Sequence, residues 1–426
     1  MRQPRLLWPL FSLDLLLTVQ GAFSLAEGQK FLSYVSRSIH KQPSNFTPSV
    51  CVICPCKGID NGLEANLAAL LDQDYPDYKV VFVIAQPDDP VRMTIERAIV
   101  GGPVPDKAKL IVAGLKPDRG EKINNLLSAL ATIDADRGVL VFADSDARPN
   151  RDWLRNLVQP LTTPGVGAAT GYRWYVPVGG GFWSAMLSAW NGSVATTLGD
   201  HGRNFAWGGS TAITREVFNR AQIAEAWANA VSDDYALTRA IQNAGLKIVF
   251  VPRCLLASYE SSSFRSLLEF TTRQVIITRV YRPAAWWVGM ISHLLFVPGF
   301  FGQLGLITYT LAARFLSFAI HTGVLDVLKS SSWASSSHVL TMSIALGVIY
   351  VLGSLKGIQR LKAAMLALPS AKIGVLRCWW MLCLLWPLVS VLFLYNFSRS
   401  AMTRRIMWRG VLYELRSPSE TVIIDR

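Results

Sequence analysis

The chain has 426 residues, 51% hydrophobic and only 17% charged, and its Lys and Arg outnumber Asp and Glu to give a net charge of +13. It is long enough for two or three domains and too apolar for an ordinary soluble enzyme of this length. The basic excess does not make a nucleic-acid-binding module, because it gathers beside apolar stretches, at Lys356, Arg360 and Lys362 and at Arg399, Arg404, Arg405 and Arg409, where it points to anionic lipid headgroups.

In chain order the first apolar stretch is 6–26, interrupted by Pro9, Asp14 and Gln20. It reads as a membrane anchor within 1–28, in preference to a signal peptide ending near Ser24-Leu25-Ala26. From 50 to 252 strands and helices alternate: strand 50–54, helix 63–71, strands 78–85 and 109–112, helix 122–132, then a strand ending at Asp144. Alternation of this kind predicts a parallel sheet with crossover helices. Polar clusters follow the strands: Lys57 to Asp60 ("KGID") after the first, "QPDDP" after the second, Asp144 and Asp146 after the fourth. In a parallel sheet these ends share one edge, where ligands bind.

The six cysteines give no disulfide framework. Cys51 and Cys54 lie three apart in a strand and face opposite sides, so a shared zinc ion is not expected.

The run before Asp144 is apolar at consecutive positions, as in a strand buried on both faces. Asp144 and Asp146, two apart on an extended chain, point the same way and repel unless a proton or cation intervenes. Mg²⁺ or Mn²⁺, with a diphosphate on its far side, suits such a pair. Further on, Asp233-Asp234 opens a helical pattern carrying Leu237 and Ile241 on one face and stopping at Gly245.

Beyond residue 284 the charges thin out, and 286–313, 339–355 and 378–397 each approach the roughly 20 residues that cross a bilayer. Trp286, Trp287, Trp379 and Trp380 flank two of them as an interfacial aromatic belt. Three spans would put the basic tail opposite the soluble domain. Four, from splitting 286–325 at Pro298-Gly299, would export the basic loop near Arg360. An interfacial helix over 356–377 is a third arrangement.

"KGIDNGLEANLAALLDQDYPDYKVVFVIAQPDDP", "GEKINNL", "DSD", "WGGSTAITREVF" and "SDDYALTRAIQNAG", in this order and spacing, resemble the ceramide glucosyltransferase-like branch of the family 2 inverting glycosyltransferases over about residues 45–285. "IMWRGVLYEL" resembles the segment that follows the membrane region in such enzymes. The resemblance implies a GT-A, Rossmann-like α/β domain that holds a UDP-sugar and a divalent Mg or Mn ion at the carboxyl edge of its sheet. It implies an N-terminal anchor, membrane helices over 286–397, and a basic cytosolic tail over 398–426. Asp144 and Asp146 would hold the metal, Asp144 also meeting the donor. Lys57, Asp60, Asp89 (with Asp88 as rival), Lys122, Asn124 and Gly209, the last in Trp207-Gly208-Gly209-Ser210, would contact the nucleotide sugar. Asp234 would be the catalytic base.

One motif departs from the family. Where (Q/R)-x-x-R-W is expected the chain reads "RQVIITRVYRP": Arg273 fits the first position, but Ile276 and Ile277 replace Arg and Trp. Arg279, one helical turn on, is expected to supply the missing cation to the donor beside Arg273, with Tyr281 the nearby aromatic. The activity implied is transfer of one hexose, glucose first among candidates, to a lipid hydroxyl such as ceramide's, at the cytoplasmic face of a multi-pass membrane protein. Alternatives are transfer of another hexose or an N-acetylhexosamine to a glycerolipid or polyprenyl phosphate, or a pseudoenzyme that binds nucleotide sugar or lipid without turnover.

Overall fold

The computed structural model describes residues 7–41, 45–102, 105–116, 119–134, 136–320 and 336–425. Its centre is a seven-stranded sheet in the order β3-β2-β1-β4-β6-β5-β7. These strands are β1 (Val50–Pro55), β2 (Tyr78–Ile84), β3 (Ala108–Val112), β4 (Val139–Ala143), β5 (Val166–Pro177), β6 (Ser210–Thr214) and β7 (Lys247–Glu260). β1 to β4 are mutually parallel where they pair, as their consecutive apolar residues and intervening helices dictate. β6 breaks the all-parallel expectation by lying antiparallel between β4 and β5.

The helices beside the sheet are α2 (Leu63–Leu71), α3 (Val91–Gly101), α4 (Glu121–Leu130), α5 (Trp153–Val158), α6 (Phe182–Ala195), α7 (Arg215–Arg220), α8 (Ile223–Trp227) and α9 (Asp233–Asn243). Two separate apolar clusters cover the two faces of the sheet. Cys54 lies in one and Cys51 in the other, so these thiols face apart as their spacing requires. All six cysteines are free and buried.

α1 (Leu7–Ser38) precedes the sheet, while α10 (Phe264–Tyr281), α11 (Pro283–Ile320), α12 (Ser336–Ala367), α13 (Lys372–Leu376), α14 (Trp379–Cys383) and α15 (Trp386–Met402) follow it. Within α1, α11 and α12, segments 10–38, 283–316 and 338–367 are long and apolar enough to cross a membrane. They meet at small residues: a side chain at Gly21 would press on Leu352, and one at Gly299 on Leu13 and Leu17. Asp14, an interruption in the sequence pattern, is buried and accepts a 2.6 Å hydrogen bond from Gln303 of α11.

The stretch 378–397 is not one continuous helix. It is divided between α14 and α15, and the region packs at both ends against the central sheet and α10. Gly374 abuts Val176 of β5, whereas Asn396 donates to Thr271 of α10 at 3.0 Å. Between them Trp386 reaches back to Phe296 and Gly353 of the long helices. Both ends of this region thus meet the residues around the central sheet. Pro298 and Gly299, where 286–325 was expected to divide in two, lie inside the continuous helix α11, because the helix carries Pro298 without breaking; residues 321–325 lie outside the described residues.

The basic terminal segment is folded. β8 (Arg405–Trp408), β9 (Val411–Ser417) and β10 (Glu420–Asp425) form an antiparallel sheet. Ile406, Val411, Tyr413 and Leu415 pack with Ile276, Ile277 and Tyr281 of α10. The isoleucines that replace Arg and Trp in the departed motif thus belong to the core joining this small sheet to α10.

Candidate active site

The site forms where four pieces of backbone converge at the carboxyl edge. β4 ends at Ala143 and delivers Asp144 and Asp146. Because β6 runs antiparallel to it, with Ala143 opposite Ser210, the start of β6 brings Trp207 and Gly208 alongside. α4 presents Lys122 in its first turn, and α9 begins with Asp233 and Asp234.

Lys122 is the hub. Its ammonium lies 2.8 Å from Asp144 Oδ1 and 3.2 Å from Asp233 Oδ2. Burial alone would lower the Lys122 pKa, but the Asp144 and Asp233 carboxylates outweigh it and raise it. Asp144 feels the same contest with the opposite sign: burial works against its carboxylate, yet Lys122 and Arg173 hold its pKa below the ordinary value. Asp233 is pushed up to about 6, chiefly by burial, with Lys122 opposing and Asp234 and Asp144 adding to the rise.

Gly208 is where close approach is needed, since a Cβ there would come within 2.1 Å of Asp233 Oδ2 and 2.8 Å of Lys122 Nζ. Gly209, expected to approach the donor, instead leaves room for the Trp207 ring, which a Cβ would meet at 2.2 Å.

Asp234 differs from its neighbour in exposure. Asp233 is buried, whereas Asp234 is half-buried and lines the cavity described below. Its Oδ1 accepts hydrogen bonds from the Ser232 hydroxyl and, at 2.8 Å, from the Tyr235 backbone N–H. The carboxylate is thereby oriented, and Oδ2 has no hydrogen-bond partner among the described residues.

Two arginines escaped the sequence reading. Arg173, on β5, forks across both acids, with Nη2 2.6 Å from Asp144 Oδ2 and Nη1 2.8 Å from Asp146 Oδ2, and lies over the Trp207 ring at 4.6 Å. Its sequence signal is a lone charge inside the apolar strand "GYRWYV". Arg409, read as a headgroup contact, sits in the tight β8–β9 turn and pairs with Asp60 at 2.8 Å while also donating to the Lys57 carbonyl.

Other expected residues fall in place or move aside. Asp89 rather than Asp88 faces inward, its Oδ1 accepting from the Gly58 and Val91 backbone N–H groups. Lys57 pairs with Glu121 at 2.8 Å. Asn124 is buried and donates to the Gly114 carbonyl at 2.8 Å, which fixes the loop after β3. Arg273 lines the cavity, donates to the Met407 carbonyl, and has its pKa lowered to about 10 mainly by burial. Arg279 does not reach the site: its guanidinium donates to the Ser400 carbonyl and lies over the Trp286 ring.

The expected metal pair passes a chemical test. Among the described residues no three His, Cys, Asp or Glu converge as a cage. Asp144 and Asp146 nevertheless form a hard oxygen pair, and Asp146 Oδ1 is buried without a partner. Two carboxylates with a free inward oxygen fit a Mg²⁺ or Mn²⁺ ion that completes its shell from a diphosphate.

A cavity of about 1410 Å³ starts at these groups and continues between the apolar helices. Lys122, Asp144, Arg173, Trp207 and Asp234 line one end. Val288, Ser292, Phe296, Leu352, Phe393 and Phe397 line the other.

Acids, cations and glycines gathered at the carboxyl edge of an α/β sheet define a site for a highly charged ligand. Residues 11–334 match the family described as Glycosyl transferase family 21, and the chain belongs to that family; it is a glycosyltransferase. Solved structures that match the chain include a mannosyltransferase from Pyrobaculum calidifontis in complex with GDP-Man and Mn²⁺, at 17% identity and a TM-score of 0.46, covering 92% of this chain and 99% of that one. Another is glucosyl-3-phosphoglycerate synthase from Mycobacterium tuberculosis in complex with Mn²⁺ and UDP-Glc, at 17% identity and a TM-score of 0.36, covering 55% of this chain and 78% of that one.

Proposed function

We propose that the protein is a multi-pass membrane glycosyltransferase that moves one hexose, glucose in the first instance, from a UDP-sugar to a lipid hydroxyl of the ceramide type with inversion. The observation that carries this reading is the single cavity that runs from the acids at the sheet edge into the space between helices long enough to cross a bilayer. A lipid can keep its chains among Phe296, Leu352 and Phe393 while its hydroxyl reaches Asp234. On the same reading the catalytic domain faces the cytoplasm, with α1, α11 and α12 crossing the membrane.

In the reaction, Asp234 takes the proton of the acceptor hydroxyl as that oxygen attacks the anomeric carbon. Its hydrogen bonds from Ser232 and Tyr235 hold the carboxylate in position while leaving Oδ2 for the proton. The bond from the anomeric carbon to the diphosphate breaks on the opposite face, and one displacement inverts the centre. Lys122 and Arg173 bring positive charge to the region where the leaving diphosphate gains negative charge. Asp144 and Asp146 would hold a divalent ion, which when bound neutralises part of that charge.

The test is transfer of labelled sugar by the purified protein from UDP-glucose, UDP-N-acetylglucosamine, UDP-galactose or GDP-mannose to ceramide, diacylglycerol or polyprenyl phosphate. The expected product is β-glucosylceramide, its anomeric configuration read by NMR. An α-linked product would overturn the single displacement. Product from another donor or acceptor would replace the named substrates, and donor binding without any product would make the protein a pseudoenzyme.

A further inference from the structure

The wall that α12 and α1 give to the cavity is basic, and the chemistry at Asp234 does not use it. Lys356 and Arg360 lie four residues apart on α12 and share one face of it, and both line the cavity. Arg360 stands seven residues before the helix end at Ala367, about 10 Å at 1.5 Å per residue, which is headgroup depth for a helix leaving a bilayer toward the catalytic domain.

Their hydrogen-bond partners are neutral. Lys356 donates to the Ser24 hydroxyl of α1, and Arg360 Nε donates to the Thr196 hydroxyl, which caps α6, at 3.3 Å. An ammonium has three donors and a guanidinium five. The terminal nitrogens of Arg360 therefore have no partner among the described residues. The acid on the same wall, Glu27, is engaged by Lys30 at 2.7 Å. Two like charges half-withdrawn from water, without a carboxylate between them, repel each other and are costly to hold. An anion with several oxygens would relieve both, meeting Arg360 through a fork and Lys356 as a point charge.

We propose that Lys356 and Arg360, flanked by the Ser24 and Thr196 hydroxyls, form a subsite for a phosphate-class anion carried by a membrane lipid. The ligand is a phosphate monoester or diester whose acyl chains remain between α1 and α12. The subsite rests on the assignment of these helices to the membrane, and not on the donor or acceptor named above.

The experiment uses the full chain in a non-ionic detergent, with thermal unfolding and native mass spectrometry as readouts. Dioleoyl phosphatidic acid is expected to bind one to one and raise Tm, and dioleoyl phosphatidylcholine, whose phosphate is shielded by choline, to do so weakly. The double variant K356Q/R360Q should lose affinity for phosphatidic acid by roughly tenfold or more, whereas K79Q/R220Q, which removes two exposed charges elsewhere, should not. Should the double variant fail to fold, R360K serves in its place: it keeps the charge, loses the fork, and should bind with an intermediate loss. If inorganic phosphate alone raises Tm and displaces the lipid, the anion site stands and its ligand is free phosphate. Equal affinity of phosphatidic acid for the wild type and K356Q/R360Q, or no binding of either phosphate probe, overturns the proposal. Glycosyl transfer is assayed separately, so that absent transfer with phosphate binding intact counts against the proposed reaction alone.

Discussion

Arg409 and Asp60 are 349 residues apart in sequence and form a two-pronged ion pair, with nitrogen–oxygen distances of 2.8 and 2.9 Å. Arg409 and Gly410 both have positive φ, 51° and 83°, as a two-residue hairpin turn requires. That conformation costs a side-chain-bearing residue roughly 1–2 kcal/mol. The fork onto Asp60 offsets it. Asp60 also meets the Ser145 hydroxyl at 3.4 Å, so the carboxyl-terminal sheet, the loop after β1 and the Asp144–Asp146 segment form one connected group.

This connection predicts non-additive losses. Arg409→Ala and Asp60→Ala should each lower kcat/KM by about tenfold or more, and the double variant should lose little beyond either single change. Measured kcat/KM values for the cycle decide the matter. Strictly additive losses would mean that the two residues act separately.

Asp234→Asn is expected to reduce transfer by at least roughly 10²-fold while leaving donor affinity nearly unchanged, because an amide keeps the shape but cannot take the proton. Equilibrium binding of the UDP-sugar beside single-turnover transfer separates the two effects. A large loss of donor affinity with the bound complex still turning over would move Asp234 from base to donor ligand.

Arg173 takes one oxygen from each of the two acids expected to hold a metal ion. If the guanidinium and a divalent ion share Asp144 and Asp146, Arg173→Met should strengthen nucleotide-free Mn²⁺ binding by about tenfold, since the ion no longer competes with a fixed cation. Electron paramagnetic resonance of free Mn²⁺ reads this directly, whatever the transfer rate. Unchanged Mn²⁺ affinity in Arg173→Met would show that ion and arginine use different oxygens.

Much of the sheet and part of the site were legible in the sequence, and the exceptions have physical causes. Consecutive apolar residues and the polar clusters after them located β1 to β4 within a residue or two, and with them the edge that carries Asp144. β6 was not readable as antiparallel, because strand direction is set by pairing and not by composition. Arg279 and Arg409 were exchanged for the same kind of reason. Helical spacing put Arg279 one turn from the expected cation, yet the fold turns it to the Ser400 carbonyl at the end of α15. A basic residue after an apolar stretch reads as a headgroup contact, yet the hairpin carries Arg409 back to β1. The apolar run 378–397 had the length of a span. The fold instead breaks it into two helices and packs Gly374 on β5 and Asn396 on α10, contacts that composition does not encode.

Asp233 gives a pH-dependent test of how the floor of the site is held. Its pKa is raised from the ordinary 3.8 to about 6, first by burial, with Asp234 and Asp144 adding to the rise and Lys122 opposing it. The folded state therefore holds this proton more tightly than the unfolded chain. Its contribution to stability is complete below about pH 4 and is lost as the pH rises through about 6. An amide at this position would carry no such proton, so the stability of Asp233→Asn relative to the wild type should rise between pH 4 and pH 7, by on the order of 2 kcal/mol, and level off above that. Paired thermal unfolding curves across this range measure the difference and cancel the titration of groups common to both proteins. A relative stability that falls over the same interval would mean that the ion pair with Lys122 outweighs burial, and that Asp233 is an ionised anchor throughout.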